Sequence, residues 1–537
     1  ARKMPASAPA APPTAPPPGV VLGPAAMVDC VLPGGGSEKL PVASSAVEWR
    51  DTGGDGGRDL FATRALEPGE IVLVEDAFVA SLDKPLLRTH CHFCCGRLPP
   101  TPVPCAACAG PLYCAEGCRD AAAPGHAHEC GAAWPSALPI NVISAVRMSE
   151  RVAAGAAGAA IPTPGSSGAE GGGCDEDGVF RPGWRSAAAQ CAHFGALRER
   201  EGEEQLTLLC LAAVGAQCLR ARGGAAAEGA AAGKVFTCMC QLRANVFTIK
   251  GPPPPGGGGA EGARVGEGVF PAAALANHSC EPNLTCRHFG RRLVMRTTRA
   301  VAAGEGLHHT YGPSKGGAPV AERREKLFQH YNFTCGCFAC ASPGVSEVAA
   351  QGLQCLADSG CAGAMPAPVS GEVEVVCCEC GKSPEEGRAE EAADTVQAAK
   401  ASVAAAREVL QSAASPADAK AAAVAAQRAV LELRRAAHPW SEAVVEAEVL
   451  LSQALCSLGK YDGALTHLRL TVEGLAAQWG AHTIPVANSN ARIASVAKMA
   501  GDQDAARAAA EAAAGAYRAY YGSCWARLYP EVSQLAG

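Results

Sequence analysis

Apolar positions fall into two rhythms along the chain. Early on they come in short runs punctuated by glycine. Gly56-Gly57-Arg58-Asp59-Leu60-Phe61-Ala62-Thr63 leads into Leu66-Glu67-Pro68-Gly69-Glu70 and then Ile71-Val72-Leu73-Val74-Glu75. A glycine turn, a short strand, a Pro-Gly turn and a second strand predict a β-hairpin-like unit. Residues 243–249 read as a further strand, and the apolar run 270–275 ends abruptly at the polar Asn277-His278-Ser279-Cys280. Tyr311 closes a strand-like segment that begins with His308 and His309. As alternating neighbours on a strand, these two histidines cannot share a face.

Elsewhere the rhythm is helical. Residues 203–219 present Leu206, Leu209, Cys210, Val214 and Cys218 at spacings that predict a packed face. Residues 388–436 are Ala-rich with Glu, Lys and Arg, and read as a helical hairpin broken near Ser415-Pro416. Beyond it, Leu458-Gly459-Lys460-Tyr461-Asp462-Gly463-Ala464-Leu465 is echoed 42 positions later by Ala500-Gly501-Asp502-Gln503-Asp504-Ala505-Ala506. His438-Pro439 and His482-x-x-Pro485 open the two units. Small residues at such turns let paired helices approach, and stacked pairs bury a shared core, as in tetratricopeptide repeats; an Ala-rich coiled coil is the rival. Residues 1–44, 153–173, 221–233 and 251–268 lack periodicity and read as a disordered linker and three loops.

Composition tempers this picture. The hydrophobic share of 48% overstates the core, because alanine is abundant and aromatics are only 5%. A net charge of −6 without a long basic run argues against a dedicated or sequence-specific nucleic-acid binder. No apolar run approaches the roughly 18–20 residues of a membrane span. The Ala/Pro-rich start has no apolar signal core, and without an initiator methionine the chain reads as a fragment or processed form.

The 27 cysteines are clustered. In a large chain without a signal peptide, such clusters point to zinc in a reducing compartment, cytoplasm or nucleus, rather than disulfides. Cys91-x-x-Cys94, Cys105-x-x-Cys108, Cys114-x-x-x-Cys118 and His126-x-x-x-Cys130 supply enough ligands for two tetrahedral sites, with Cys95 and His128 left over. Cys355, Cys361, Cys377 and Cys380 flank a β-like segment, 373–376, and resemble a small zinc ribbon, although the first spacing is wide; a zinc-free loop is the alternative. Cys238 and Cys240 have no partner pair and read as core thiols.

Asn277-His278-Ser279-Cys280-Glu281-Pro282-Asn283, Gly304-Glu305 with Tyr311, and Cys335-x-Cys337-x-x-Cys340 together resemble the signature of SET-domain lysine methyltransferases. The cysteine-rich stretch, with Tyr113 before Cys114, resembles a MYND finger. A MYND finger inside a SET domain is the arrangement of the SET-and-MYND family, and Tyr311-Gly312-Pro313 with Val320-Ala321-Glu322-Arg323-Arg324 is most similar to its branch with tetratricopeptide helices. The resemblance covers about residues 45–343. It implies an α+β multidomain fold, a β-rich SET domain split by the finger and followed by an all-α tetratricopeptide-like domain. The expected divisions are 1–44 linker, 45–90 first SET part, 91–130 finger, 131–268 insertion, 269–312 SET core, 313–343 post-SET cluster, 344–386 ribbon and 387–537 helical domain.

The same resemblance implies S-adenosylmethionine held by Gly57, Arg58, Asn277, His278, Tyr311 and Phe333. It also implies crossed finger sites, Cys91, Cys94, Cys114 and Cys118 for one zinc and Cys105, Cys108, His126 and Cys130 for the other. Cys280, Cys335, Cys337 and Cys340 would take a third zinc. Tyr311 and Tyr331 would line the lysine channel. Lysine must react as its neutral amine, at a cost of roughly 4–5 kcal/mol at neutral pH from a pKa of about 10.4, which a desolvating channel reduces. A tyrosine hydroxyl beside carbonyls then orients the amine. Two departures stand out. Asp59 occupies a position where the family commonly has glycine, and if its carboxylate faces the cofactor's own it weakens binding. Gly306 breaks the acidic pair begun by Glu305. The leading expectation is a protein-lysine N-methyltransferase acting on histone or non-histone proteins. The alternative is a scaffold with a weakened SET domain that binds proline-rich and chaperone peptides.

Overall fold

Strand β1 (Val47–Asp51) pairs antiparallel with β2 (Arg58–Ala62), Val47 opposite Ala62. The computed structural model describes residues 31–32, 35–53, 57–108, 110–156, 174–175, 177, 179–191, 202–220, 232–252, 262–342, 344–368 and 375–537; of 202–220, the side chains described are those of 207–217. The Pro68-Gly69 turn, with Gly69 at φ 86°, sends the chain into β3 (Ile71–Asp76), but β3 does not fold back on β2. It pairs with β10 (Arg292–Thr297), which pairs with β9 (Leu284–Phe289). The expected hairpin-like unit is therefore corrected: a strand apolar on both faces needs cover from both sides, and its partner comes from two hundred residues on. Residues 35–44, read as part of the linker, pack instead. Leu40 and Ala43 are fully buried and Ala43 bridges Leu73, while residues 1–30 lie outside those described.

A third sheet has the order β4 (Val79–Leu82), β8 (Arg264–Val269), β7 (Val246–Lys250). Residues 264–268 were read as loop because of their glycines, and the structure makes them the central strand. A Cβ on Gly266 would lie 2.0 Å from the Ser81 carbonyl oxygen, and one on Gly268 2.7 Å from the Phe270 ring, so close approach explains both glycines. The strand expected over 243–249 begins only at Val246, because helix Ala232–Asn245 continues through residue 245.

The helical insertion packs Ile140–Gly155, Gly202–Arg220 and Ala232–Asn245 around Val142, Val146, Met148, Ala212, Ala216 and Val235. Here the expected face of the second helix is wrong. Leu209, Cys210 and Val214 point outward, while Leu208, Leu211, Ala212, Gly215 and Ala216 face the core; Leu206 and Cys218 lie outside the described side chains. Small residues form the contact because the helices are close: a Cβ on Gly215 would come 2.9 Å from Val146 Cγ2. Of the expected loops, 157–173, 221–231 and 253–261 lie outside the described residues. Cys238 and Cys240 are buried in the third helix.

The cysteine-rich stretch contains β5 (Val103–Pro104), β6 (Leu112–Tyr113) and helix Glu116–His126. It docks on the tip of the β9–β10 hairpin, where the Arg291 N–H donates to the Cys94 carbonyl at 2.8 Å. Gly290, at φ 65°, would place a Cβ 2.2 Å from that carbonyl oxygen. In the 344–386 region the strands are β11 (Leu353–Gln354) and β12 (Ala364–Met365); the β-like segment expected at 373–376 is corrected, since 375–376 are not strand and 373–374 lie outside the described residues.

The C-terminal part is helical. The break at Ser415-Pro416 separates Arg388–Gln411 from Pro416–Ala436, and Ser415 and Asp418 cap each other, Asp418 Oδ2 accepting the Ser415 N–H at 3.0 Å. The repeated turns join Glu442–Ser457 to Tyr461–Trp479 and Ile484–Ala500 to Gln503–Tyr521, with Gly459 and Gly501 left-handed at φ 70° and 86°. Helix Gln503–Tyr521 reaches back to the β9–β10 sheet: the Arg287 guanidinium lies 4.8 Å from the centre of the Tyr521 ring and 5.7 Å from that of Tyr520. A second contact joins Gly316 to Trp479, where a Cβ would fall 2.2 Å from the indole. Gly316→Ala is expected to destabilise the chain by about 1–3 kcal/mol through overpacking, measured as a lower urea midpoint. An unchanged midpoint would show that this contact tolerates a methyl group.

Candidate active site and metal centres

The site is built where two distant segments cross. Residues 277–280 run beside 308–311, and the Ser279 N–H donates to the His309 carbonyl at 3.0 Å, while the His309 N–H donates to the Asn277 carbonyl at 3.1 Å. This is a single parallel bridge between His278 and His309, so the strand expected to end at Tyr311 is a crossing and not a ladder. The β2 end arrives from the other side. Gly57 is left-handed (φ 53°), Arg58 Nη2 donates to the Ala189 carbonyl at 3.2 Å, and Asn277 Nδ2 donates to the Arg58 carbonyl at 3.2 Å. Burial lowers the pKa of Arg58, partly offset by Cys174, Cys191 and Asp51.

Asp59 is buried and bonded. Its Oδ1 accepts the N–H groups of Leu60 (2.8 Å) and Asn277 (3.2 Å), and Oδ2 lies 2.8 Å from His308 Nε2. His308, given no role from sequence, thus faces Asp59. His309 faces the opposite way, stacked on Phe247 at 5.3 Å, with burial pushing its pKa down to about 3.

Around the crossing lies an aromatic group. Tyr311 sits 4.9 Å from Tyr331, 5.3 Å from His278 and 6.3 Å from Phe333, centroid to centroid. Its hydroxyl donates to the Ala276 carbonyl at 3.2 Å, and the Tyr331 hydroxyl donates to the Tyr311 carbonyl at 3.1 Å. Burial, with Asp59 and Tyr331 nearby, drives the Tyr311 phenol far above its ordinary pKa, so it stays protonated. His278 uses both ring nitrogens. Nδ1 accepts the Tyr311 N–H at 3.0 Å, which leaves the proton on Nε2, 3.2 Å from Cys280 Sγ. Burial lowers its pKa to about 4, so the ring is neutral, and its face and main chain are what it offers a ligand.

Two residues that sequence reasoning passed over hold this arrangement. Glu75, fully buried at the end of β3, accepts the N–H groups of Ala272 (3.1 Å) and Ala273 (2.8 Å) and fixes the turn leading to Asn277. The signal available was an acid ending an otherwise apolar strand. Arg323, also fully buried, donates to Glu347 Oε2 at 3.1 Å and to the sulfur of Cys340 at 3.6 Å.

Four donor sets converge among the described residues: Cys91, Cys94, Cys114 and Cys118; Cys105, Cys108, His126 and Cys130; Cys280, Cys335, Cys337 and Cys340; and Cys355, Cys361, Cys377 and Cys380. Within each set the ligand atoms all lie within 4.8 Å of one another. Zinc–sulfur bonds of about 2.3 Å in a tetrahedron put sulfurs about 3.8 Å apart. The measured separations include 3.6 Å for Cys94–Cys114, 4.0 Å for Cys105–Cys130, 3.9 Å for Cys280–Cys335 and 3.8 Å for Cys355–Cys380. The donor chemistry and spacing of all four fit zinc.

A family model described as the SET domain matches residues 57–312, the span from the Gly57 turn to the end of the crossing. Protein-lysine N-methyltransferase SMYD4 of Homo sapiens is 23% identical over 265 residues, covering 48% of this chain and 32% of that protein. SMYD4 of Mus musculus is 25% identical over 374 residues, covering 55% and 46%. Histone-lysine N-methyltransferase SMYD3 of Homo sapiens is 27% identical over 296 residues, covering 53% and 59%. The SET-domain match and these relatives support the SET-and-MYND family for this chain. The chain spans less than half the length of either SMYD4 protein. No helix among its described residues is long and apolar enough to cross a membrane.

Burial raises the Glu75 carboxyl to about 8, outweighing the opposing effect of its two N–H bonds. A carboxyl whose folded pKa exceeds its unfolded value, ordinarily about 4.3, stabilises fully below that value and loses the contribution as pH rises through the folded pKa. Stability of the zinc-loaded chain should therefore fall with rising pH up to about pH 8, by at most about 1.4 kcal/mol per pH unit. Glu75→Gln should flatten that slope in urea titrations at several pH values; an equally steep slope in the variant would assign it to another group.

Proposed function

We propose that this chain is an S-adenosylmethionine-dependent protein-lysine N-methyltransferase acting on histone or non-histone proteins, in the cytoplasm, the nucleus or both. The observation that carries the reading is the crossing at 277–280 and 308–311 with the Tyr311 hydroxyl buried against it. When bound, S-adenosylmethionine supplies an electrophilic methyl group. Gly57, Arg58, Asn277, His278, Tyr311 and Phe333 would hold it. Their surroundings fit a polar ligand: both side-chain polar atoms of Gln190, next to the Ala189 that Arg58 contacts, are buried without a protein partner, and so is His309 Nε2. Buried polar groups are nearly always partnered, so a ligand carrying donors and acceptors would complete them.

The chain's own contribution is to desolvate and orient the lysine. The rings of Tyr311 and Tyr331 form an apolar wall that favours the neutral amine. The protonated Tyr311 hydroxyl and the nearby carbonyls of Ala276 and Tyr311 would direct the amine's lone pair along one line. Zinc in the four sets would be structural, since each set offers a complete tetrahedron and leaves no open position. Proline-rich and chaperone peptides would engage the finger and the C-terminal helices. The scaffold reading rests on Asp59 and Gly306; against it, both Asp59 oxygens are bonded within the protein.

Purified chain incubated with methyl-labelled cofactor and mixed protein substrates should label lysines. Tyr311→Phe should lower turnover by about 10²–10³-fold, the scale for losing one positioned hydroxyl, with cofactor affinity little changed. Absence of both label and cofactor binding in the wild-type chain would refute the proposal. Elemental analysis should find one zinc for each of the four sets, with the Cys361→Ser chain losing one; a count that leaves out the 355–380 set would make that region a metal-free loop.

A further inference from the structure

We propose that Asp59 and His308 form a positioning pair that locks the cofactor-binding crossing, so that the carboxylate at this position strengthens cofactor binding rather than opposing it. The inference rests on the methyltransferase reading. From sequence, Asp59 and Gly306 are two separate departures from the family pattern, and in the structure one side chain joins them.

Asp59 ties three segments together. Oδ1 accepts from Leu60 on its own strand and from the Asn277 N–H across the crossing, and Oδ2 meets His308 Nε2 at 2.8 Å. A glycine in its place would take this acceptor from the half-buried Asn277 N–H, leaving the bond from the Asn277 side chain to the Arg58 carbonyl as the direct tie between β2 and the crossing. The carboxylate is 7% exposed. Both of its oxygens are engaged by the protein, so neither is free to turn toward a bound ligand.

His308 reaches Asp59 only because residue 306 is glycine. The backbone of His308 is pinned: its N–H donates to Asn283 Oδ1 at 2.8 Å, and its carbonyl accepts the Leu284 N–H at 2.9 Å. With the backbone fixed, the ring lies over Gly306, where a Cβ would come 2.6 Å from His308 Cε1 and 2.9 Å from Nε2. A side chain there must push the ring off Asp59. The broken acidic pair is thereby the condition for the new contact. Glu305 keeps its own function, accepting from Asn283 Nδ2 (3.0 Å), Arg299 (2.7 Å) and the Ala302 N–H (2.9 Å).

The test is the dissociation constant of S-adenosylhomocysteine by calorimetry on the full chain, with KM for the cofactor and kcat alongside. Asp59→Gly, which restores the family's usual residue, should weaken binding by about tenfold to a hundredfold, the scale of one charge-assisted hydrogen bond. Asp59→Asn keeps an acceptor for the Asn277 N–H but replaces the Oδ2 that meets His308, and should weaken binding by up to about tenfold, less than Asp59→Gly. Gly306→Ala should reproduce much of the loss with Asp59 intact, and combining it with Asp59→Gly should add little, as expected for partners in one contact. The losses should appear in KM for the cofactor and not in kcat. Tighter or unchanged binding by Asp59→Gly overturns the inference, as does a drop in thermal midpoint with affinity and KM unmoved. If Asp59→Gly does not fold, Gly306→Ala and Asp59→Asn carry the same comparison. Failure of the wild-type chain to bind S-adenosylhomocysteine would overturn the methyltransferase reading, and this inference with it. Wild-type binding with unaffected variants would overturn this inference alone.

Discussion

Two backbone hydrogen bonds, Ser279 to His309 and His309 to Asn277, hold the crossing on which the rest of the structure depends. They bring the main chain of one segment against another that follows thirty residues later. A backbone contact of this kind fixes direction but leaves side chains free to act. Asn277 turns toward β2, His278 toward Cys280, and Tyr311 toward Tyr331. Glu75 supports the crossing from below by satisfying the N–H groups of the turn before it, and Asp59 supports it from the side. Each support is a buried carboxyl group accepting backbone donors, an arrangement that is strong when complete and expensive when one partner is removed.

The chain has few aromatics to build a large core, and its packing shows how it manages. The C-terminal helices use alanine as the contact residue: Ala399, Ala426, Ala447, Ala494, Ala510 and Ala513 are all fully buried. Small faces allow close helix approach but bury little area per residue, so extra constraints matter more. The four cysteine-rich sets lie where such constraints are needed. Two organise the finger against the β9–β10 hairpin, one closes the aromatic group around Tyr311, and one lies against the start of the C-terminal helices, with Cys355, Cys377, Ala389 and Ala436 in one cluster.

What the sequence disclosed follows from the range of each interaction. Metal donors at short spacing, the Ser415-Pro416 break and the Gly459 and Gly501 turns are local, and they stand where the pattern placed them. The partners of β3 and the central position of β8 are not local. Gly266 and Gly268 looked like loop residues because their reason for being glycine, Ser81 and Phe270, comes from elsewhere in the chain. The inward face of Gly202–Arg220 was misjudged for a related reason. Large apolar residues ordinarily mark the core, whereas close helix contact selects Ala212, Gly215 and Ala216 and leaves Leu209 and Val214 outside. Of the candidate site, the residue types were legible, but their bonding was not. His278 was expected at the cofactor without any sign that both its ring nitrogens are engaged, and His308 carried no visible role until it was seen beside Asp59.

The helical region is also part of the site's support, because it touches the β-sheet region at positions leading to the crossing. Arg287, held between Tyr520 and Tyr521, lies on β9 immediately after Cys286, and β9 begins at Leu284, whose N–H bonds the His308 carbonyl. Gly316, pressed on Trp479, follows Lys315, whose N–H bonds the Cys280 carbonyl. Gly69, 3.0 Å from Ala519 by its projected Cβ, lies in the turn that launches β3 toward Glu75. Three separate contacts with the last helices thus end within a few residues of Asn277, Cys280 and His308. Close packing at these contacts resists relative movement, because a densely packed interior has low compressibility. The C-terminal helices therefore act as a brace for the crossing, in addition to whatever surface they present to a partner.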